Sequence, residues 1–314
     1  AIKEIRPIVG ADRIVSASVI CGKGGKWNVV VPIGAEVGQL MTVFLPDALV
    51  PQVPELAFME KKKWRVSMCR FKGAPSEALA ILEFAEGHAI GEDMTEALGV
   101  KKFEKPMPLS VSGDALGSFP EHLIHKTDEM RYQAVPEMVE MLRGVPVVAT
   151  LKIDGSSGTV INDGERIRVC SRNLELKDTL SNVFWNTVKR YEFDKTLPPY
   201  MAIQFETAGP GIQGNPLKLK EPAPFIFNVY DLQERRYYAH SELPNLRWSM
   251  YYPPAVYRGV FDFTDETLQA LADSVKYGDR PGEGIVVRPL QEMTTPAGDR
   301  VSFKVINLLY KEQA

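Results

Sequence analysis

Lys152 and Asp154 stand one residue apart in Leu151-Lys152-Ile153-Asp154-Gly155-Ser156-Ser157-Gly158. An amine beside a carboxylate, with glycines following, is suited to attack on a nucleotide phosphate. The amine attacks only when deprotonated, and at an ordinary pKa of about 10.4 roughly one lysine in a few thousand is free at pH 7. Burial, a metal ion or neighbouring cations can lower that value by about 3 units, worth roughly 4 kcal/mol. Asp154 could help to hold a hydrated Mg²⁺ against the phosphate. The bare tetrapeptide Lys-x-Asp-Gly also fits a surface hairpin with Asp-Gly at its turn.

Positioning such a pair requires strands. Residues 145–150 are β-branched and apolar and predict a strand running into Lys152. Alternation then puts Lys152 and Asp154 on one face, while Gly155 and Gly158 allow a tight turn or a close approach. Further strands are expected at 166–173, running to Arg172; at 201–206, with Gln204 and Glu206 on the polar side; and at 225–232, where Asn228 and Tyr230 share a face. Two more are expected at 283–288 and 300–306. Short helices are expected at 92–100, over the polar stretch 125–133, from Pro136 to Gly144, after a cap at Asp178, and at 264–276 capped by Thr264. Many strands and few helices predict an α+β fold with antiparallel sheets rather than a doubly wound one.

Residues 1 to about 95 read as β-rich, with short strands near 14–20, 27–31 and 41–45 punctuated by glycines. Their spacing suggests a small OB-like β-barrel, a sandwich being the alternative. The most basic stretch is 61–72, where Lys61, Lys62, Lys63, Trp64 and Arg65 combine cations with a ring. A strand of this kind suits nucleic acid, or equally a solvated edge guarded by lysines. The net charge is −3 over 314 residues, so any nucleic-acid binding must come from such local patches. The 3 cysteines are widely spaced, which argues against zinc and disulfides and fits a reducing cytosol. No apolar run approaches membrane-spanning length, and the first residues lack a signal-peptide core. The four histidines form no spaced cluster.

Taken in order, these strand ends resemble the motifs of the covalent nucleotidyltransferases: ATP-dependent DNA and RNA ligases and mRNA capping enzymes. Lys152-Ile153-Asp154-Gly155 resembles the nucleotidyl-lysine motif, and Ser171-Arg172-Asn173 the arginine motif. Glu206 resembles the acidic third motif, Tyr230-Asp231 the aromatic-Asp motif, Glu283-Gly284-Ile285-Val286 the Glu-Gly motif and Phe303-Lys304 the last lysine motif. The words Lys-Ile-Asp-Gly-Ser-Ser and 206–213, with Lys126-Thr127-Asp128-Glu129, Arg131 and Gln133 upstream, are similar to RNA ligases that carry an amino-terminal OB domain. Lys304 stands ten residues from the last (314 − 304), so the expected order is an OB-like nucleic-acid-binding domain at 1–98 and an adenylation domain at 99–314.

The resemblance implies ATP as cofactor with Mg²⁺ or Mn²⁺, and sealing of 3′-OH and 5′-phosphate RNA ends through lysyl-AMP and RNA-adenylate. It implies Lys152 as nucleophile, with Ile153, Gly155 and Tyr230 around the adenine and Arg172 on ribose or an RNA phosphate. Asp154, Glu206 and Glu283 would hold the metal, Glu206 alternatively the ribose, and Lys304 the α-phosphate. Lys61–Arg65 would bind RNA. One departure stands out: Ile306 occupies the place where the last motif often has a second lysine, leaving Arg300 or Arg288 in support. A cytoplasmic monomer is expected. A DNA ligase, a capping-type guanylyltransferase and a non-catalytic RNA-binding protein are the alternatives.

Overall fold

The computed structural model describes residues 1–104 and 114–310; residues 101–118, whose prolines predict an interdomain connector, lie partly outside the described residues. The chain forms two compact units. One comprises Ala1–Pro106 and Tyr132–Pro136; the other comprises Met107–Arg131 and Glu137–Ala314.

In the first unit, Ile2–Pro7, Ile14–Cys21 and Gly25–Pro32 make an antiparallel sheet in that order. Strict alternation buries Trp27, Val29 and Val31 against Ala17, Val19 and Ile2. The outer edge of Gly25–Pro32 is satisfied by Glu77, whose N–H donates to Asn28 O at 2.8 Å, and by Ser76 Oγ, which accepts from Val30 N at 3.1 Å. Three two-stranded ladders complete the unit. Among the described residues these pairings do not close into a barrel.

Among the described residues the second unit carries two large sheets and a small hairpin of Lys276–Tyr277 with Arg280–Pro281. The larger runs Ala115–Ser118, Leu174–Leu176, Ile167–Ser171, Ser156–Asn162, Met201–Ala208, Ala223–Asp231, Arg236–Tyr237. The smaller runs Met130–Arg131, Phe303–Ile306, Gly284–Pro289, Pro146–Leu151, Ala255–Val260. Every pairing in both is antiparallel except Met130–Arg131 with Phe303–Ile306. The class is therefore α+β with antiparallel sheets, as expected. One face of the larger sheet packs Val160, Val169, Ile203, Phe205 and Val229 under Phe184 and Val188 of the helix Val183–Arg190. The opposite face, bearing Gln204 and Glu206, is left for chemistry.

Four local expectations change. The helix expected after Asp178 is capped by Asn182, whose side chain accepts from Phe184 N and Trp185 N at 3.1 Å; Asp178 pairs instead with Lys189. Residues 92–100 form turns. Of the helix expected at 125–133 only a 3₁₀ turn at Tyr132–Ala134 forms, because Met130–Arg131 is drawn onto the edge of the smaller sheet and tertiary pairing outweighs weak local helix preference. Residues 54–62 form a 3₁₀ helix, and Lys63 and Trp64 both take left-handed backbone conformations, so the basic stretch begins as a helix end and turn and becomes a strand only at Cys69–Phe71. Thr264 does cap Asp265–Ser274, with a reciprocal bond to Thr267.

Candidate active site

Lys152 lies just beyond the end of Pro146–Leu151, where Leu151 is opposite Ile285 and Thr150 opposite Val286. Val286 is in turn opposite Lys304, and Lys304 opposite Arg131. Thr150, Val286, Lys304 and Arg131 thus form one row across four strands, sharing the face toward which Lys152 points. Two glycines let the strands close on the nucleophile. A Cβ on Gly155 would lie 2.4 Å from Thr207 O, and one on Gly284 would lie 2.1 Å from Val305 O at a φ of +143°. Lys152 N donates to Gly284 O at 2.9 Å, which places Glu283 beside the amine.

Lys152 Nζ donates to Glu283 Oε1 at 2.6 Å. Burial pushes the Lys152 pKa down, but Glu283, Glu206 and Asp154 together hold it above the ordinary lysine value. The expected lowered pKa is therefore not that of the ligand-free protein: three carboxylates outweigh desolvation, and the resting amine is a paired ammonium. Burial, with Glu283 and Asp154 nearby, pushes Glu206 up to about 8 despite the opposing charge of Lys152.

Arg172 pairs with Asp128 at 2.9 Å, and Lys304 Nζ lies 4.0 Å from the other oxygen of the same carboxylate. Burial and the charge of Lys152 bring Lys304 down to about 8. Arg288 and Arg300 are not available to replace the second lysine missing at Ile306. Arg288 is buried and paired with Glu129, while Arg300 bonds Glu292 at 2.5 Å, donates to Asn228 Oδ1 and lies 4.2 Å over the Tyr237 ring. The cation beside Lys304 is Arg131, from the strand that was expected to be helical.

Glu206 and Gln204 share a face, and the bond from Asn228 Nδ2 to Gln204 Oε1 at 2.9 Å continues that polar layer. Tyr230 lies opposite Ala202 on the same face, 9% exposed and packed with Phe119, Ile124, Ile161 and Cys170. The ring directly opposite Glu206 is Phe225. Ile153 is buried.

For a metal, the donor set is hard carboxylate oxygen. Glu283 Oε2 is buried without a hydrogen-bond partner, and Glu206 and Asp154 act on the same amine. Among the described residues no three acidic, His or Cys side chains are close enough to hold an ion alone. That combination fits an ion which keeps most of its water, as Mg²⁺ does.

Two residues had no signal in the sequence. Tyr277 OH donates to Lys152 O and accepts from Asp154 N at 3.0 Å, and Tyr310 OH donates to Asp154 Oδ2. Asp128 and Arg131 fell within a recognised segment but had no assigned role. In the first unit Lys61, Lys62 and Lys63 are exposed. Trp64 packs against the core of Phe44, Val50, Leu56, Met59 and Val66, and Arg65 pairs with Asp47 at 2.5 Å and stacks 4.2 Å from the Phe103 ring centre.

A family model described as RNA ligase matches residues 145–306, more than half of the chain. The chain belongs to the RNA ligase family. The family is that of RNA ligases rather than of DNA ligases or capping enzymes. Solved structures of Naegleria gruberi RNA ligase resemble this ligase over nearly its whole length. A lysine-to-alanine variant with ATP and Mn is 28% identical, with 98% of this chain and 95% of that chain covered and a TM-score of 0.79. A lysine-to-methionine variant with AMP and Mn gives 28%, 98%, 95% and 0.80. The same protein with PPi gives 29%, 98%, 94% and 0.78. Comparison of the ligase with curated proteins gave no match. Among its described residues no helix is long and apolar enough to cross a membrane.

Proposed function

We propose that this RNA ligase seals 3′-OH and 5′-phosphate RNA ends with ATP as the source of adenylate. The observation that carries the reading is Lys152, held among Glu283, Glu206 and Asp154 and facing Lys304. The Naegleria relative was solved with ATP, with AMP and with PPi, which are the substrate, transferred group and leaving group of an adenylation. Lys152 Nζ, having lost its proton, forms a bond to the α-phosphorus while the bond to the β-phosphate oxygen breaks. The adenylate then passes to an RNA 5′-phosphate, and the 3′-OH displaces AMP. Each step is an in-line phosphoryl transfer, governed by positioning and charge.

Lys304, with Arg131 beside it, contacts the α-phosphate and stabilises the charge developing there. Arg172 grips ribose or the RNA-side phosphate, exchanging Asp128 for it. A divalent ion bound near Asp154, Glu206 and Glu283 supplies further charge neutralisation. Gly155 gives the nucleotide access to the backbone, and Tyr230 together with Ile153 serves the adenine. Intact mass after incubation with ATP, GTP or NAD tests the donor. Sealing assays on RNAs with defined termini test the ends.

We read the first unit as OB-like, with the nucleic-acid-binding part at 1–98 and the adenylation domain at 99–314. Its RNA contact comes from Lys61, Lys62 and Lys63; Trp64 and Arg65 support them from within the fold. Replacing all three lysines with glutamine lowers RNA affinity and cuts the salt slope of binding by about 2–3. Lysyl-AMP formation stays at the wild-type rate. Unchanged RNA affinity in filter binding would rule out an RNA role for the patch, whereas a parallel loss of adduct formation would mark a folding defect.

A further inference from the structure

We infer that Tyr277 and Tyr310 are positioning residues for lysine adenylation, two hydroxyls that lock the turn carrying the nucleophile and its neighbouring carboxylate. The inference rests on reading Lys152 as the adenylated residue.

The strand Pro146–Leu151 ends one residue before Lys152; Lys152 N still reaches Gly284 O, but Lys152 O and Asp154 N lie beyond the strand ladder. Buried backbone groups need partners, and one hydroxyl can both donate and accept. Tyr277 OH does both, donating to Lys152 O and accepting from Asp154 N at 3.0 Å. It thereby closes a loop around Ile153, whose side chain is itself buried. The turn has little freedom to rotate, and the direction of the Lys152 side chain is set by that backbone.

Tyr310 acts on the other half of the turn by donating to Asp154 Oδ2. This bond fixes the carboxylate orientation, as outer partners of metal-bound carboxylates commonly do. The two tyrosines come from separate places, one from the hairpin strand Lys276–Tyr277 and one from beyond the last strand, Phe303–Ile306. Their rings meet edge to face at 6.2 Å, and each is 7% exposed. Phenylalanine at either position keeps that ring contact and removes only the hydroxyl.

The test uses Tyr277→Phe, Tyr310→Phe and Asp154→Asn in the ligase. Single-turnover lysyl-AMP formation is followed against ATP and Mg²⁺, and thermal melting is followed with and without Mn²⁺ in the absence of ATP. Tyr277→Phe is expected to slow the maximal rate about 10- to 100-fold at unchanged KM for ATP, the scale of a misdirected reacting group. Tyr310→Phe is expected to raise the half-saturating Mg²⁺ concentration about 10-fold, and to shrink the melting shift produced by Mn²⁺. Added to Asp154→Asn, it should cause no further loss, because it acts through that carboxylate.

Wild-type rates and metal dependence in both phenylalanine variants would overturn the inference, as would a drop in melting temperature alone. Absence of any adduct in the wild-type protein would instead overturn the adenylation reading itself.

Discussion

Lys152→Met leaves a folded protein that takes up no adenylate. The substitution keeps an unbranched side chain of similar reach while removing the amine that bonds Glu283 at 2.6 Å. Deleting a nucleophile typically costs about 10⁴-fold or more, and here the first covalent step has no other entry. Lys304 is the nearest second amine, but it lies in the row beneath Val286 and beside Asp128, where it meets the phosphate rather than replaces the attacking group. Glu283 and Asp154 lose a counter-charge, but Glu206, raised to about 8 even with Lys152 present, is already protonated at neutral pH and adds no further repulsion. Folding therefore survives. Intact mass after incubation with ATP and Mn²⁺ is the measurement: an AMP increment on the variant would remove Lys152 from the chemistry.

Lys304→Met lowers the rate of adenylation by about 10²- to 10³-fold, the range seen when one preorganised group facing developing charge is removed. The pH dependence gives an independent check. Lys304 is lowered to about 8, chiefly by burial and then by Lys152. Its cation is present below that value and is lost as pH rises through it. KM for ATP should accordingly rise above about pH 8, while the maximal rate climbs with pH as Lys152 gives up its proton. Lys304→Arg retains a charge across the whole range and should flatten the rise in KM. A KM that stays constant to pH 9.5 in the parent protein would remove Lys304 from phosphate binding.

The strand framework of the second unit was legible because β-branched runs ending in a charged residue leave little choice of conformation. Pro146–Leu151, Met201–Ala208 and Gly284–Pro289 all end near side chains identified from their motifs. Long-range electrostatics was not legible. Nothing local to Lys152 says that Glu283, 131 residues away, will hold its proton in place. The same holds for Arg131, whose segment looked helical until an edge strand claimed it, and for Tyr277 and Tyr310, which carry no periodic signal. The basic stretch misled for a different reason. Its residues 64–66 fold inward, with Trp64 and Val66 on the core and Arg65 on Asp47 and Phe103, so the exposed cations are split between Lys61–Lys63 and Lys72 rather than lined along one strand.

The opposite shifts of the two lysines have a consequence for how the protein meets reactive small molecules. At pH 7 about one Lys304 in ten carries a lone pair, given its value of about 8, whereas the paired ammonium of Lys152 has none to offer. A sparing dose of acylating reagent on the ligand-free protein would mark Lys304 before Lys152, as peptide mapping can check. The nucleophile is thus kept closed to casual electrophiles until its proper donor arrives.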